Sequence, residues 1–339
     1  MDFTHRRHSF SALGLGITSL ALALSGAGCV AGEPTDDDFG EDVAEASEAI
    51  TGGGPADLFS RQRSAFVMRP GCTATIIGPR HVLTAAHCGT LPNDKVRFYT
   101  STDTSIAPPP DPATERNVVS VMIPSGVNPG TEDLTDTLGR FADVAVLRLG
   151  SDIPATSVVA DLGWIYPGSA TWGSKVGGAP STPDGADRGT LRMIFDQLDS
   201  ASDSDGSFLT DHDQSEHGDS GGAFFVSGRS VGVLFGDYGF GLIWQNKYSS
   251  VPLHLPFILS QMGYQFSGTI MIPGAIITGQ DLTSLTNRPQ TVCEYACDHT
   301  QQCVAFNHYP TLGALTNYCQ LKKTITGYTG FPNATAGLK

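Results

Sequence analysis

The stretch His217-Gly218-Asp219-Ser220-Gly221-Gly222 decides how this chain is read. A serine hydroxyl is a poor nucleophile at neutral pH and needs a base to take its proton. Glycines beside it let the backbone turn tightly enough for the N–H groups of Gly218 and Ser220 to converge where an oxyanion would form. Taken alone, the same residues also read as a glycine-rich turn. The surrounding sequence has to supply a base, and something to orient that base.

Thr84-Ala85-Ala86-His87-Cys88 follows the strand-like Val82-Leu83, so a disulfide at Cys88 would pin an imidazole at a strand end. Phe141-Ala142-Asp143 precedes the apolar run Val144–Leu149. An Asp there is either a turn former or the carboxylate that orients an imidazole. Short apolar or alternating runs recur from residue 50 to 264, at Thr73–Ile77, Val82–Thr84, Val118–Ile123, Val144–Leu149, Ala223–Val226 and Val231–Phe235. Separated by turn residues, they imply a sandwich or barrel of antiparallel strands. One helix is expected at Pro256–Met262, stopped by Gly263. The Asp- and Ser-rich segment from Asp196 to Asp213 reads as a solvated loop, because it lacks a complete calcium-loop pattern. His81, His212, His217 and His254 show no ligand spacing and read as surface or satisfied histidines.

Together, Thr84–Cys88, Asp143-Val144-Ala145-Val146-Leu147 and Gly218–Gly222 resemble the chymotrypsin-like (trypsin-fold) serine proteases, in the chain order His, Asp, Ser. The resemblance covers residues 50–264. It implies an all-β fold of two six-stranded antiparallel β-barrels with a C-terminal helix, acting on protein or peptide substrates without cofactor or metal. By that resemblance Ser220 is the nucleophile, His87 the base and Asp143 its orienting carboxylate, with Gly218 and Ser220 forming the oxyanion hole. Ile50-Thr51-Gly52-Gly53 resembles the family's activation sequence, in which a freed isoleucine amine pairs with the Asp before the nucleophile, here Asp219; a glycine-rich linker end is the other reading. Ala49 stands where digestive zymogens carry Arg or Lys, so a different, activating protease is expected to cut there.

Specificity is less clearly written. The residue six before the nucleophile lies at the base of the family's specificity pocket, and here it is Gln214, followed by Ser215. No acid stands at that position, so it gives no support for a Lys or Arg preference. Glu216 replaces a cysteine common in relatives, and Phe235-Gly236-Asp237 departs from the usual Ser-aromatic-Gly.

Gly279-Gln280-Asp281-Leu282, Cys293-Glu294-Tyr295-Ala296-Cys297, Cys303-Val304-Ala305-Phe306 and Cys319-Gln320-Leu321-Lys322 resemble a PAN/apple domain, a small disulfide-bonded α+β module assigned to residues 273–339 after a connector at 265–272. Cys293 and Cys297 fall on nearly one helix face. Four cysteines allow three pairings; the resemblance implies Cys293–Cys319 and Cys297–Cys303, and a carbohydrate or protein ligand. Zinc is the competing use of these thiols, but paired C-x-x-C units are missing.

The remaining cysteines are Cys72, which pairs with Cys88 in an exported chain, and Cys29. Export is expected from residues 1–31, where Arg6-Arg7 precede the apolar run Leu13–Leu24 and a small-residue stretch. Cys29, after Gly26-Ala27-Gly28, resembles a lipoprotein acylation site, but a glycine stands three places before it where an aliphatic residue is expected; plain cleavage to a secreted product is the reading, with an anchored lipoprotein the alternative. Residues 32–49 form an acidic pro-segment. Residues 1–49 carry nine acids and two basic residues, hence −7 of the chain's −14 charge. The mildly acidic remainder lacks the basic patches of nucleic-acid binding, and no later segment has about 18 uncharged apolar residues to span a membrane. A protein of a different class also fits: a catalytically silent protease-like chain acting as an adhesion factor.

Overall fold

A computed structural model of the chain describes residues 50, 53–129, 131, 133–178, 189–202, 205–211, 215–240, 243–268 and 270–339. The export signal with Cys29, the acidic segment and Gln214 lie outside the described residues.

A two-residue strand β1 (Gly54–Pro55) and helix α1 (Leu58–Arg63) lead into a first barrel. The helix is started by Asp57, whose carboxylate accepts the Ser60 N–H at 2.8 Å. The barrel is built from β2 (Ser64–Val67), β3 (Cys72–Gly78), β4 (His81–Thr84), β5 (Lys95–Phe98), β6 (Asp111–Met122) and β7 (Ala145–Leu149), in the closed order β2-β3-β4-β7-β6-β5. After β8 (Asp161–Leu162) come β9 (Trp172–Gly177), β10 (Arg192–Ser202), β11 (Ser207–Thr210), β12 (Ala223–Val226), β13 (Arg229–Phe240) and β14 (Ile243–Ser250). Their order is β10-β11-β14-β13-β12-β9, and β9 also pairs with β10, which closes a second six-stranded barrel. Every pairing within the two barrels is antiparallel. The fold is therefore all-β with few helices, and it fits the chymotrypsin architecture.

Strand periodicity explains the burial. Along β3, Ile76 points into the first barrel with Val82, Val96, Phe98 and Leu147, whereas Ile77 joins the core outside it. Both faces of this strand are covered, so all seven of its residues are buried, Thr73 and Thr75 among them. The second barrel is filled by Leu198, Phe208, Phe224, Leu234 and Tyr248, with the Phe208 and Tyr248 rings stacked 5.0 Å apart.

Two sequence expectations are corrected. The Asp/Ser-rich segment from Asp196 is not a solvated loop: β10 and β11 run through it and pair with each other, and Asp196 is fully buried. The polar composition misled because a buried carboxylate there faces a buried lysine. Helix α2 spans Val251–Met262 and so begins five residues earlier than Pro256. Ser250 caps it and Pro252 occupies the first turn, where a missing N–H does no harm. Pro256, inside the helix, cannot donate to the Pro252 carbonyl; Arg288 from the C-terminal region donates to it instead, at 3.4 Å.

That C-terminal region is a five-stranded antiparallel sheet with helix α3 (Gln290–Asp298) against it. Its strands are β15 (Ile270–Thr278), β16 (Asp281–Leu285), β17 (Ala305–Leu312), β18 (Leu315–Lys322) and β19 (Gly327–Leu338), in the order β15-β19-β17-β18-β16. The first strand starts at Ile270, inside the expected connector. Disulfides join Cys293 to Cys319 and Cys297 to Cys303. Its interior is continuous with that of the barrels: Val292, Tyr295 and Ala296 share one buried cluster with Leu255, Ile258 and Leu259 of α2 and with Ile77. The Leu162 N–H donates to the Tyr295 hydroxyl at 2.7 Å, and the Arg229 guanidinium lies 4.0 Å over the Trp164 ring.

Candidate active site

Strand register brings the first two candidate residues together. Thr84, the last residue of β4, faces Ala145, the first of β7. His87 lies three residues beyond the one and Asp143 two before the other, so both emerge at the same end of the pair. Asp143 is fully buried. Its Oδ2 lies 2.7 Å from His87 Nδ1, and its Oδ1 accepts the His87 backbone N–H at 2.8 Å. A carboxylate only accepts, so Nδ1 carries the proton and Nε2 is left able to take one. The disulfide Cys72–Cys88 holds the residue next to His87 to β3.

Ser220 arrives from the second barrel, in the turn before β12. Gly218 (φ +115°) and Gly221 (φ +83°) adopt backbone conformations that favour glycine. A Cβ on Gly221 would stand 2.2 Å from both the Thr73 carbonyl and Thr84 Oγ1, and one on Gly222 2.0 Å from the Val176 carbonyl. Thr73 stitches the turn to the first barrel. Its N–H donates to the Gly218 and Ser220 carbonyls at 3.0 and 2.9 Å, and its hydroxyl to Gly218 at 2.8 Å. Because Thr73 follows Cys72, the disulfide and this clamp tie the serine turn and the histidine turn to the same strand.

His87, His217 and Ser220 line two cavities. One, of about 270 Å³, extends over Phe66, Pro70, Gly71 and the Cys72–Cys88 disulfide. The other, of about 410 Å³, is walled by Ser215, Glu216, Phe235, Gly236 and Asp237. The Ser220 hydroxyl donates to the Phe235 carbonyl at 3.3 Å. The Phe235 ring packs edge-on against the His87 imidazole, 5.3 Å between centroids, and against Phe141 at 5.5 Å. Lys247 caps this group with its ammonium 3.7 Å over the Phe141 ring. Burial lowers its pKa, opposed by the carboxylates of Asp205 and Asp143.

The candidate activation pair is also in contact. The buried Ile50 N–H donates to Asp219 Oδ2 at 3.1 Å, beside the Glu216 N–H at 3.0 Å. Ile50 has φ +44°, a strained conformation for a β-branched residue. Gly177 makes room for the carboxylate, since a Cβ there would lie 2.1 Å from Asp219 Oδ1.

One cluster escaped sequence reasoning. Lys175 in β9 and Asp196 in β10 pair at 2.5 Å, both buried, and Lys175 Nζ donates to Asn246 Oδ1 at 2.6 Å. The only signal available was a charged residue in the middle of each of two strands.

Residues 50–243, more than half of the chain, match the family described as Trypsin. The chain belongs to the trypsin family. Among solved structures, this trypsin-family chain is similar to neuropsin, a serine protease expressed in the limbic system of mouse brain. The identity is 19%, the TM-score 0.49, and the match covers 62% of this chain and 99% of that one. No curated protein matches the chain. Membership supports a serine peptidase domain and peptide or protein substrates, and the disulfides fit an extracellular setting. No helix among the described residues is long and apolar enough to cross a membrane.

Proposed function

We propose that this chain is an exported serine endopeptidase that hydrolyses peptide bonds through an acyl-enzyme. The observation that carries the proposal is the buried Asp143 carboxylate 2.7 Å from His87 Nδ1, with His87 and Ser220 sharing two cavities. Ser220 Oγ turns from the Phe235 carbonyl, gives its proton to His87 Nε2 and bonds to the substrate carbonyl carbon. The oxyanion is received by the N–H groups of Gly218 and Ser220, each such donor being worth about 10²–10³ in rate. Imidazolium, stabilised by Asp143, returns the proton to the leaving amine. Water then repeats the sequence on the ester and frees Ser220.

Activation follows the same reading. Cutting before Ile50 turns an amide N–H into an ammonium at a buried carboxylate, which supplies the charge partner that such a group needs. The cut also releases the strained torsion at Ile50, because the preceding carbonyl is gone. We assign the cut to another protease, and the C-terminal sheet to a PAN/apple-like module that docks the enzyme on a carbohydrate or protein. A fluorophosphonate probe tests the catalytic core. The processed protein is expected to be labelled and Ser220→Ala not; absence of labelling in protein that begins at Ile50 would favour the silent adhesion factor.

A further inference from the structure

One side of the His87–Asp143 pair is closed by rings. Phe235 lies edge-on to the imidazole and edge-on to Phe141. Beyond them stands the Lys247 ammonium, 3.7 Å over the Phe141 ring and 5.1 Å from the centre of the Tyr238 ring. Strand alternation puts the lysine there. Asn246 and Tyr248, its neighbours in β14, are buried in the second barrel, so Lys247 points out of it, toward a phenylalanine that packs on the core of the first. Phe141 is itself fixed through its backbone. Its N–H donates to the Asp205 carbonyl at 2.6 Å, and its carbonyl accepts from His254 Nε2 at 2.9 Å.

The other charges around the imidazole are of one sign. Asp143 touches it, and Glu216 and Asp237 wall one of the two cavities that it lines, beside His217. Neither cavity is lined by a lysine or arginine. Carboxylates so placed favour the imidazolium, which helps in the transition state but leaves the base already protonated, and so idle, as the pH falls. Lys247 works against them. It is half-buried and makes no ion pair among the described residues; the carboxylates that act on it are Asp205 and Asp143. The nearby Arg140 is paired with Asp136 at 2.6 Å, and burial keeps His254 uncharged at neutral pH. Hydrocarbon rings rather than water lie between the ammonium and the imidazole, so its field is screened less than at an open surface.

Resting on the reading of His87 as the base, we propose that Lys247 is a positioning residue whose charge opposes these carboxylates and keeps His87 free to take the Ser220 proton in mildly acidic solution. It touches neither the imidazole nor a substrate, and acts through Asp143 and across the two rings. Without the ammonium an imidazolium forms more readily, so the idle state is reached at a higher pH. Two unit charges so separated in a partly buried site move a titration by roughly half a pH unit.

The test uses processed full-length protein and the rate of labelling by a fluorophosphonate over a pH series, a readout that needs no knowledge of the preferred substrate. In Lys247→Met the acidic limb of the profile is expected to move up by about half a pH unit, so that labelling at a pH on that limb is about threefold slower than in wild type, with the plateau above it nearly unchanged. Lys247→Arg, which keeps the charge over the ring, should superimpose on wild type. Lys247→Glu should move the limb about twice as far as Lys247→Met. Lys247→Gln is the second neutral variant should the Met protein misfold. A purely structural role would instead lower the plateau and leave the limb in place, and that result overturns the proposal. So does an Arg variant that shifts as far as the Met one. If wild type itself is not labelled at any pH, the protease reading has failed, and this proposal falls with it for that distinguishable reason.

Discussion

The two barrels contribute to the site in contrasting ways. The first delivers His87 and Asp143 from the ends of two neighbouring strands, so one register fixes both, and their mutual contact is short and simple. The second delivers Ser220 on a glycine turn and backs a cavity with a polar network drawn from four strands and one loop: Lys175, Asp196, Asp237 and Asn246 with Ser215. A contact set by one register needs only its two strands in place, whereas a distributed polar network depends on every one of its members.

The largest effect expected from breaking this comparison lies on the first-barrel side. Asp143→Asn should leave the fold intact but reverse the imidazole tautomer, lowering kcat by about 10⁴. Steady-state kinetics beside a denaturation curve would show rate lost and stability kept. The second-barrel side should behave in the opposite way. Lys175→Met leaves the buried Asp196 carboxylate without its ammonium and should destabilise the protein by about 3–5 kcal/mol. Lys175→Met combined with Asp196→Leu should regain most of that stability in urea unfolding while still failing to orient Asn246.

A smaller effect sharpens the tie between the barrels. His254 in α2 donates through Nε2 to the Phe141 carbonyl at 2.9 Å, two residues before Asp143. Burial pulls its pKa down to about 4, with Arg140 adding to the fall and the Phe141 hydrogen bond and Asp136 opposing it. The group is lower in the folded state than unfolded, so its contribution to stability is present above about pH 6.5. It should be lost as pH falls toward 4, reaching roughly 3 kcal/mol. Unfolding curves of His254→Gln should be flatter across that window.

The same contrast explains what could be read from the sequence. Short alternating runs between turns announce barrels, because each strand must bury one face, and the run Ala223–Val226 coincides with β12. His87, Asp143 and Ser220 stood out because each sits beside its own strand in a compact motif. Asp196, Lys175 and Asn246 did not, because their polarity argues for exposure unless the partner is known. That partner is 21 residues away for Lys175 and Asp196, across a strand pair visible only once register is set. The start of α2 was hidden for a related reason, since the carbonyl that Pro256 leaves open is satisfied by Arg288, far along the chain.

The buried cluster that runs from β3 through α2 into α3 has one more consequence. An enzyme on a flexible tether sweeps a sphere around its anchor and cuts whatever drifts within reach. Here the C-terminal sheet and the barrels share a common interior, so among the described residues they are held together by packing rather than by a linker alone. Under the proposed reading, a surface that holds the sheet also aims the cleft, and the orientation of docking becomes a filter on what is cut.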